Sequence, residues 1–216
     1  EGEVMRALRM YEDFFLNDAA IPVVVGRKSD GERFAGAVYT TTCEALMPDG
    51  KALQSATSHM LGQNFAKPEA FNIVYQDVAK KQAYAWQTSW GMSTRVVGGL
   101  IMTHGDDAGL ILPPRLAPIQ VVIIPIGKSA EEKAAVREKV DALVQRLTAA
   151  GLRVQADTRD EYTPGWKFNE WELRGVPVRI EVGPKDVQKN QAVVARRDVK
   201  GKEFLAFDSV PDRVQA

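Results

Sequence analysis

Residues 89–120 read SWGMSTRVVGGLIMTHGDDAGLILPPRLAPIQ, and the parsing of this stretch decides the fold on both sides of it. Ser89-Trp90-Gly91 reads as an extended turn. An apolar run follows, with Arg95 near its start and the adjacent glycines Gly98-Gly99 inside it. Gly105 and the acidic pair Asp106-Asp107 come next, then an apolar strand and the double proline Pro113-Pro114. The order is strand, helix, loop, strand, with the helix over roughly Ser93–His104 and Gly105 as its cap. A helix start that offers free backbone N–H groups beside an arginine suits a phosphate. The same arginine is equally compatible with an ordinary solvated position. His104 with Asp106-Asp107 has metal-ligand residue types, but adjacent aspartates after a helix fit a solvated turn, and no metal is assigned there.

Working outward, Pro113, Pro114 and Pro118 break the helix rhythm and mark a boundary. The reading is two domains, 1–116 and 117–216. On the N-terminal side, Val4, Leu8, Tyr11 and Phe15 fall at helical spacing within 3–17. Short strands follow at 21–25, 34–46 and 51–57, the last two joined by the turn Pro48-Asp49-Gly50. The polar row Gln54, Thr57, His59 leads into a helical turn near 61–66, and strands at 71–76 and 80–88 complete the set. Hairpin-linked strands imply an antiparallel sheet with flanking helices. On the C-terminal side the rhythm changes to strand 121–126, a helix opened by the capping box Ser129/Glu132 and closed by Gly151, and strand 152–156. A helix with Pro164 at its first position then runs to Gly175, and strands follow at 176–182, 191–196 and 203–207. The fold class is therefore α+β followed by a mixed-sheet α/β domain.

Composition narrows the function classes. The chain has 216 residues, 45% apolar, enough for two modest cores. Lys+Arg and Asp+Glu both number 28, so overall charge gives no reason to expect nucleic acid binding. Any such contact must come from a local patch, and residues 185–202, with six basic and two acidic side chains, are the clear one. The lone Cys43 excludes an internal disulfide and fits a reducing, cytoplasmic compartment. No apolar run reaches the roughly 18 residues of a membrane span, so no membrane partner is expected.

The words FAGAVYTTTCEAL (34–46), TSHMLGQNF (57–65), TSWGMSTR (88–95) and HGDDAGLILPPR (104–115) resemble prolyl-tRNA synthetases of the type shared by eukaryotes, archaea and some bacteria. In these class II synthetases, residues 89–116 would be the third signature motif. The likeness runs from about Met5 to Phe207. It implies ATP-dependent activation of L-proline to prolyl-adenylate, then transfer to the tRNA for proline, with ATP and Mg²⁺ as cofactors and a homodimer in the full-length protein.

The resemblance assigns Arg95 to the γ-phosphate as the catalytic cation, a planar fork suited to phosphate oxygens. Ser93 contacts the nucleotide while also able to cap the helix. Gln54 and Thr57 would touch ATP and, in the case of Gln54, its Mg²⁺ indirectly. His59 would contact proline, as a neutral imidazole that donates to the carboxylate or packs on the ring. Phe34 through Thr42 would flank the proline pocket. For the anticodon, Arg159, Lys167, Glu170 and Lys185 are candidates, since donor and acceptor side chains together suit the two guanines that end proline anticodons. Lys167, Glu170 and Arg174 also fit a plain salt-bridge ladder on one helix face. Trp166 and Trp171 stack bases or fill the core. The first two class II signatures are not visible, and no editing insertion or zinc-binding cysteine cluster is expected. This polypeptide by itself is thus expected to be inactive in pyrophosphate exchange. The alternative is a non-catalytic synthetase-like module that binds RNA or protein; a generic ATP-binding α/β protein is a third.

Overall fold

The computed structural model describes all 216 residues, Glu1–Ala216. They form two units, Glu1–Thr103 and His104–Ala216.

In the first unit, helix α1 (Gly2–Asp13) buries Val4, Ala7, Leu8 and Tyr11 along one stripe. It runs on through a wider π-helical turn, Phe14–Asp18, which buries Phe15. Strands β1 (Val24–Arg27), β2 (Tyr39–Leu46) and β3 (Ala52–Gly62) follow, then a small hairpin of β4 (Val74–Gln76) and β5 (Gln82–Tyr84), and β6 (Gln87–Met92). The main sheet is antiparallel in the order β1-β2-β3-β6. Helix α2 (Arg95–His104) comes next.

The two faces of this sheet differ because side chains alternate along a strand. Thr41, Cys43 and Ala45 of β2 are buried on the α1 side. There the Cys43 thiol lies 3.9 Å from the Leu8 carbonyl oxygen, and Tyr11 meets Trp90 edge to face at 6.2 Å. Burial pushes the Cys43 thiol up to about 11, which leaves it a packing residue. Thr40, Thr42 and Glu44 point to the opposite, polar face.

Several expectations change here. Ser89-Trp90-Gly91 is not a turn but the middle of β6, paired to His59, Ser58 and Thr57. The stretch 34–38 loops into the sheet, with a turn closed by Ala37 N–H on the Phe34 carbonyl. The row Gln54, Thr57, His59 lies within β3, which is 11 residues long. Residues 80–88 divide between β5 and β6. Gly105 does not adopt the left-handed conformation of a helix cap.

In the second unit, β7 (Val121–Pro125), α3 (Ala130–Ala149), β8 (Val154–Ala156), α4 (Pro164–Leu173), β9 (Val178–Val182), α5 (Pro184–Gln188), β10 (Gln191–Arg196), β11 (Glu203–Ala206) and α6 (Val210–Gln215) succeed one another. The sheet order is β11-β10-β9-β7-β8. β7 runs parallel to β8 and β9, while β9, β10 and β11 are antiparallel. The Ser129/Glu132 capping box is formed, and Thr163 caps α4 ahead of Pro164. Each such cap stabilises its helix by about 1 kcal/mol.

One face of this sheet is fully covered: Val121, Ile123, Ile180, Val182, Ala192 and Val194 pack on Val136, Val140, Leu143 and Leu147 of α3 and on Phe207 and Val210. The other face carries only α4, whose Trp171 sits on Val122, Ile124 and Val176. It leaves the β9–β10 side of that face without a helix.

Residues 110–112 do not form the expected strand. Leu110 N–H and Leu112 N–H donate to the carbonyls of Leu173 and Gly175, each at 3.1 Å, so this segment satisfies the C-terminal carbonyls of α4. Where the sequence reading draws the boundary after residue 116, these contacts tie residues 104–112 to the second unit.

Candidate functional site

The polar face of the first sheet gathers the candidates named above. His59 faces Thr40 across β2 and β3. Its Nδ1 lies 2.9 Å from Thr40 Oγ1 and its Nε2 3.1 Å from Thr57 Oγ1. Thr40 Oγ1 already accepts from Phe34 N–H at 3.0 Å. Each threonine hydroxyl can donate or accept, so both ring nitrogens are engaged in either tautomer. Burial, and secondarily the Lys28 ammonium, hold the His59 pKa below its ordinary value, so the ring is neutral. With both nitrogens engaged, the ring face is what remains for a ligand. Phe34 borders that face, its ring 4.9 Å from the imidazole and half-exposed. Phe34 is a candidate that sequence reasoning named only as part of the stretch 34–42.

Arg95 begins α2 and is exposed. Its guanidinium makes one long hydrogen bond, 3.4 Å to the Gln54 carbonyl oxygen, and no ion pair. Ser93 Oγ accepts Arg95 N–H at 3.3 Å and so shapes the first turn of α2. The helix approaches β3 closely because Gly99 has no side chain: a Cβ there would come 2.8 Å from Leu53 Cδ2. Gly98 meets nothing and has no such role. Arg95, Gln54, Thr57 and His59 thus belong to β3 and to the helix start packed on it. The polyphosphate of a nucleotide fits this donor set, since a cation with one weak bond is free to take oxygens. For Mg²⁺ the nearby groups are uncharged, apart from Glu44, paired across from Gln54 in the sheet and 3.6 Å from Lys28 Nζ. A divalent ion here would keep waters and phosphate oxygens among its ligands.

The second unit treats its candidates differently. Arg159, Lys167 and Glu170 converge on Asp157, a residue the sequence reading passed over. Asp157 is 2% exposed. It accepts from Arg159 Nε and Nη2 at 2.9 and 2.7 Å and from Trp171 Nε1 at 2.8 Å. The buried Lys167 ammonium donates to the Asp157 carbonyl at 3.0 Å and lies 3.6 Å from its carboxylate. Burial pushes the Asp157 pKa upward, but the Arg159 and Trp171 hydrogen bonds and the Lys167 charge together outweigh it and hold the group well below the carboxylate range. Glu170 closes the cluster by pairing with Arg159, and with Arg174 at 2.5 Å. Lys167 therefore leaves the expected ladder on the helix surface and points inward; only Glu170–Arg174 keeps that spacing. Lys185 does not join them; it is exposed on α5.

The uncovered face beside α4 holds a cavity of about 530 Å³. Its floor is Val122, Trp171 and Ala195, and its rim carries Arg179, Arg196, Arg197, Lys200 and Lys202 against Asp106, Glu172 and Asp198. Arg179 Nε and Lys202 Nζ share the buried Glu181 carboxylate at 3.1 and 2.8 Å, and both lie over the Phe168 ring. Arg197 binds Asp106 at 2.5 and 2.9 Å. With Glu181 counted, five cations stand against four carboxylates, which leaves this cavity a small positive surplus. Basic residues at 196–202 were legible in the sequence; Arg179 and Glu172 were not, because only the half-covered sheet brings them to the same hollow.

An antiparallel sheet followed by a mixed α/β unit is consistent with a class II aminoacyl-tRNA synthetase domain and an anticodon-binding domain. Residues 120–216 match the family model described as anticodon binding domain. The chain is 57% identical over 212 residues to the proline–tRNA ligase of Rubrobacter xylanophilus, covering 98% of this chain and 44% of the relative. It is 50% identical over 215 residues to that of Cenarchaeum symbiosum, covering 100% of this chain and 45% of the relative. A third, from Symbiobacterium thermophilum, is 55% identical over 214 residues, covering 99% and 43%. Over nearly its whole length the chain is similar to these proline–tRNA ligases, and it spans less than half of their length. No helix is long and apolar enough to cross a membrane.

Proposed function

We propose that this chain is part of a cytoplasmic, homodimeric proline–tRNA ligase, supplying one wall of its ATP and proline site and its reader of tRNA. In the first step an oxygen of the proline carboxylate attacks the α-phosphorus of ATP, and pyrophosphate leaves. In the second, a terminal ribose hydroxyl of the tRNA attacks the prolyl carbonyl, and AMP leaves. Arg95 takes the γ-phosphate, with Ser93 and Thr57 against the nucleotide and Gln54 beside its Mg²⁺. The ion would neutralise phosphate charge. Proline lies against the Phe34 and His59 rings, since both imidazole nitrogens already have hydroxyl partners. The observation that carries this reading is an exposed guanidinium with only one weak bond, held at Gln54 of the same strand, β3, that carries the neutral imidazole.

The tRNA reading extends to the second unit. Arg179 and Lys202 as donors and Glu172 as acceptor suit the mixed acceptor and donor edge of guanine, with Lys185 on the RNA backbone. Arg159, Lys167 and Glu170 act by holding α4 in place around Asp157.

The test is proline-dependent exchange of pyrophosphate into ATP, measured on a protein of the relatives' length that carries this sequence. Arg95→Ala is expected to lower exchange about 10²–10³-fold without lowering the melting temperature. Unchanged exchange would remove Arg95 from the site and this reading with it.

A further inference from the structure

At the start of α4 stands a feature that neither site uses. Tyr162 and Trp166 stack face to face, with ring centroids 3.8 Å apart and planes 11° from parallel. They are not core residues: they are 38% and 43% exposed, while Trp171, on the same helix, is 3% exposed. The Arg159 guanidinium flanks the stack, 5.0 Å from the Tyr162 ring and 5.4 Å from that of Trp166. That guanidinium is fixed from beneath by Asp157, which is itself held by Trp171 and Lys167. A surface pair of large rings would ordinarily move between rotamers. Here an arginine anchored to a buried carboxylate bounds one side, and the Thr163 cap sets the backbone between the rings.

Because Asp157 and Glu170 compensate its charge, Arg159 is a poor phosphate anchor. What the cluster offers is flat, exposed π surface edged by a planar cation, which is the surface that accepts an unpaired nucleobase. Trp166 precedes Trp171, which lines the floor of the cavity, by five residues, roughly 7.5 Å of helix rise and about 140° of turn, so it stands on a different side of α4.

We infer that Tyr162, Trp166 and Arg159 form a base-stacking platform, on which one unpaired base of the RNA rests in addition to the bases taken by the cavity. The inference depends on the cavity being the RNA reader proposed above. Stacking is indifferent to base identity, so the platform adds affinity and not sequence choice.

The test is binding of this chain to a labelled anticodon stem-loop of the tRNA for proline, across a salt series. Trp166→Ala is expected to weaken binding about tenfold and leave the salt slope unchanged, since no phosphate contact is lost. Trp166→Phe, which keeps a ring, should stay within about threefold of the parent, given that stacking needs only a π-face. Lys202→Ala should weaken binding, and Lys185→Ala should flatten the salt slope. If Trp166→Ala binds like the parent while Lys202→Ala does not, the platform is wrong and the cavity reading stands. If the parent chain binds this stem-loop no better than an unrelated duplex, both fall.

Discussion

In the first unit Arg95 is exposed and holds a single carbonyl oxygen at 3.4 Å. In the second, Arg159 and Lys167 are locked on Asp157, one through two charge-assisted hydrogen bonds and the other beneath the surface. All three were candidate ligand-binding cations on residue type and motif. The difference lies in what each has left to give. A guanidinium with nearly all its donors unsatisfied is cheap to recruit to a phosphate, and its removal leaves no buried partner unpaired. A cation that neutralises a buried carboxylate is committed to the fold, and its partner suffers if it goes.

The largest effect should come from breaking the second arrangement at its centre. Asp157→Ala strands a buried ammonium and leaves Trp171 Nε1 without an acceptor, so a loss of about 3–5 kcal/mol is expected. Urea denaturation of this chain would measure it. Lys167→Met should cost well under half as much, because Asp157 keeps Arg159 and Trp171 while the methionine fills similar volume. Arg95→Ala should fall within about 0.5 kcal/mol of the parent, as surface changes do. Should Arg95→Ala prove as damaging as Asp157→Ala, the contrast between a free and a committed cation is lost.

A second break point is backbone, not charge. The segment at Gly109–Leu112 and the end of α4 approach so closely that side chains are excluded on both sides. A Cβ on Gly175 would lie 2.5 Å from Leu110 Cβ and 2.7 Å from its carbonyl carbon, and Gly175 has φ +74°. A Cβ on Gly109 would meet the Leu173 backbone at 2.5 Å. Backbone cannot swing aside as a side-chain tip can, so Gly175→Ala is expected to cost about 2–3 kcal/mol through strain and steric overlap. Gly99→Ala, which meets only the tip of Leu53, should cost distinctly less. Melting curves of the two variants would rank them.

These cases also mark how far the sequence could be read. The capping box at Ser129, the proline start of α4, the glycine ends at Gly151 and Gly175 and all five strands of the second sheet followed from local chemistry, because each depends on residues a few positions apart. The motif words name Gln54, Thr57 and His59, which lie on β3, and Arg95, which hydrogen-bonds to the Gln54 carbonyl of that strand. The inward turn of Lys167 did not follow from local chemistry, because it requires Asp157 ten residues away on another element. Leu110–Leu112 looked like a strand on composition alone; the backbone groups that it pairs with belong to a helix end, which no period-two pattern announces. Ser89-Trp90-Gly91 looked like a turn because glycine was weighed by propensity, whereas β3 supplies a ladder partner for each of the three residues. The cavity was illegible for a similar reason: it exists because α4 covers only part of its sheet face.

The smallest effect sharpens the same distinction at the protein surface. Asp106 is exposed, and its hydrogen bonds from Arg197, aided by the N–H groups of Ala108 and Gly109, lower its pKa to about 2. Its ordinary unfolded value is about 3.9. A carboxylate whose folded pKa is depressed stabilises the fold fully above the unfolded value, and loses that contribution as pH falls through the folded one. The contribution of Asp106 should therefore be intact above about pH 4 and fade toward pH 2. Asp106→Asn should melt below the parent at pH 7, and the gap should narrow as pH drops from about 4 to about 2. Added salt should narrow it as well, since the carboxylate is open to solvent. Arg197 is less free to let go: its side chain is 7% exposed and also donates to the Glu172 carbonyl. Arg197→Ala should therefore lower the melting temperature at pH 2 as well as at pH 7. A gap for Asp106→Asn that stays constant across the acid range would mean that the ion pair is incidental and that the two glycine contacts alone dock this segment on α4.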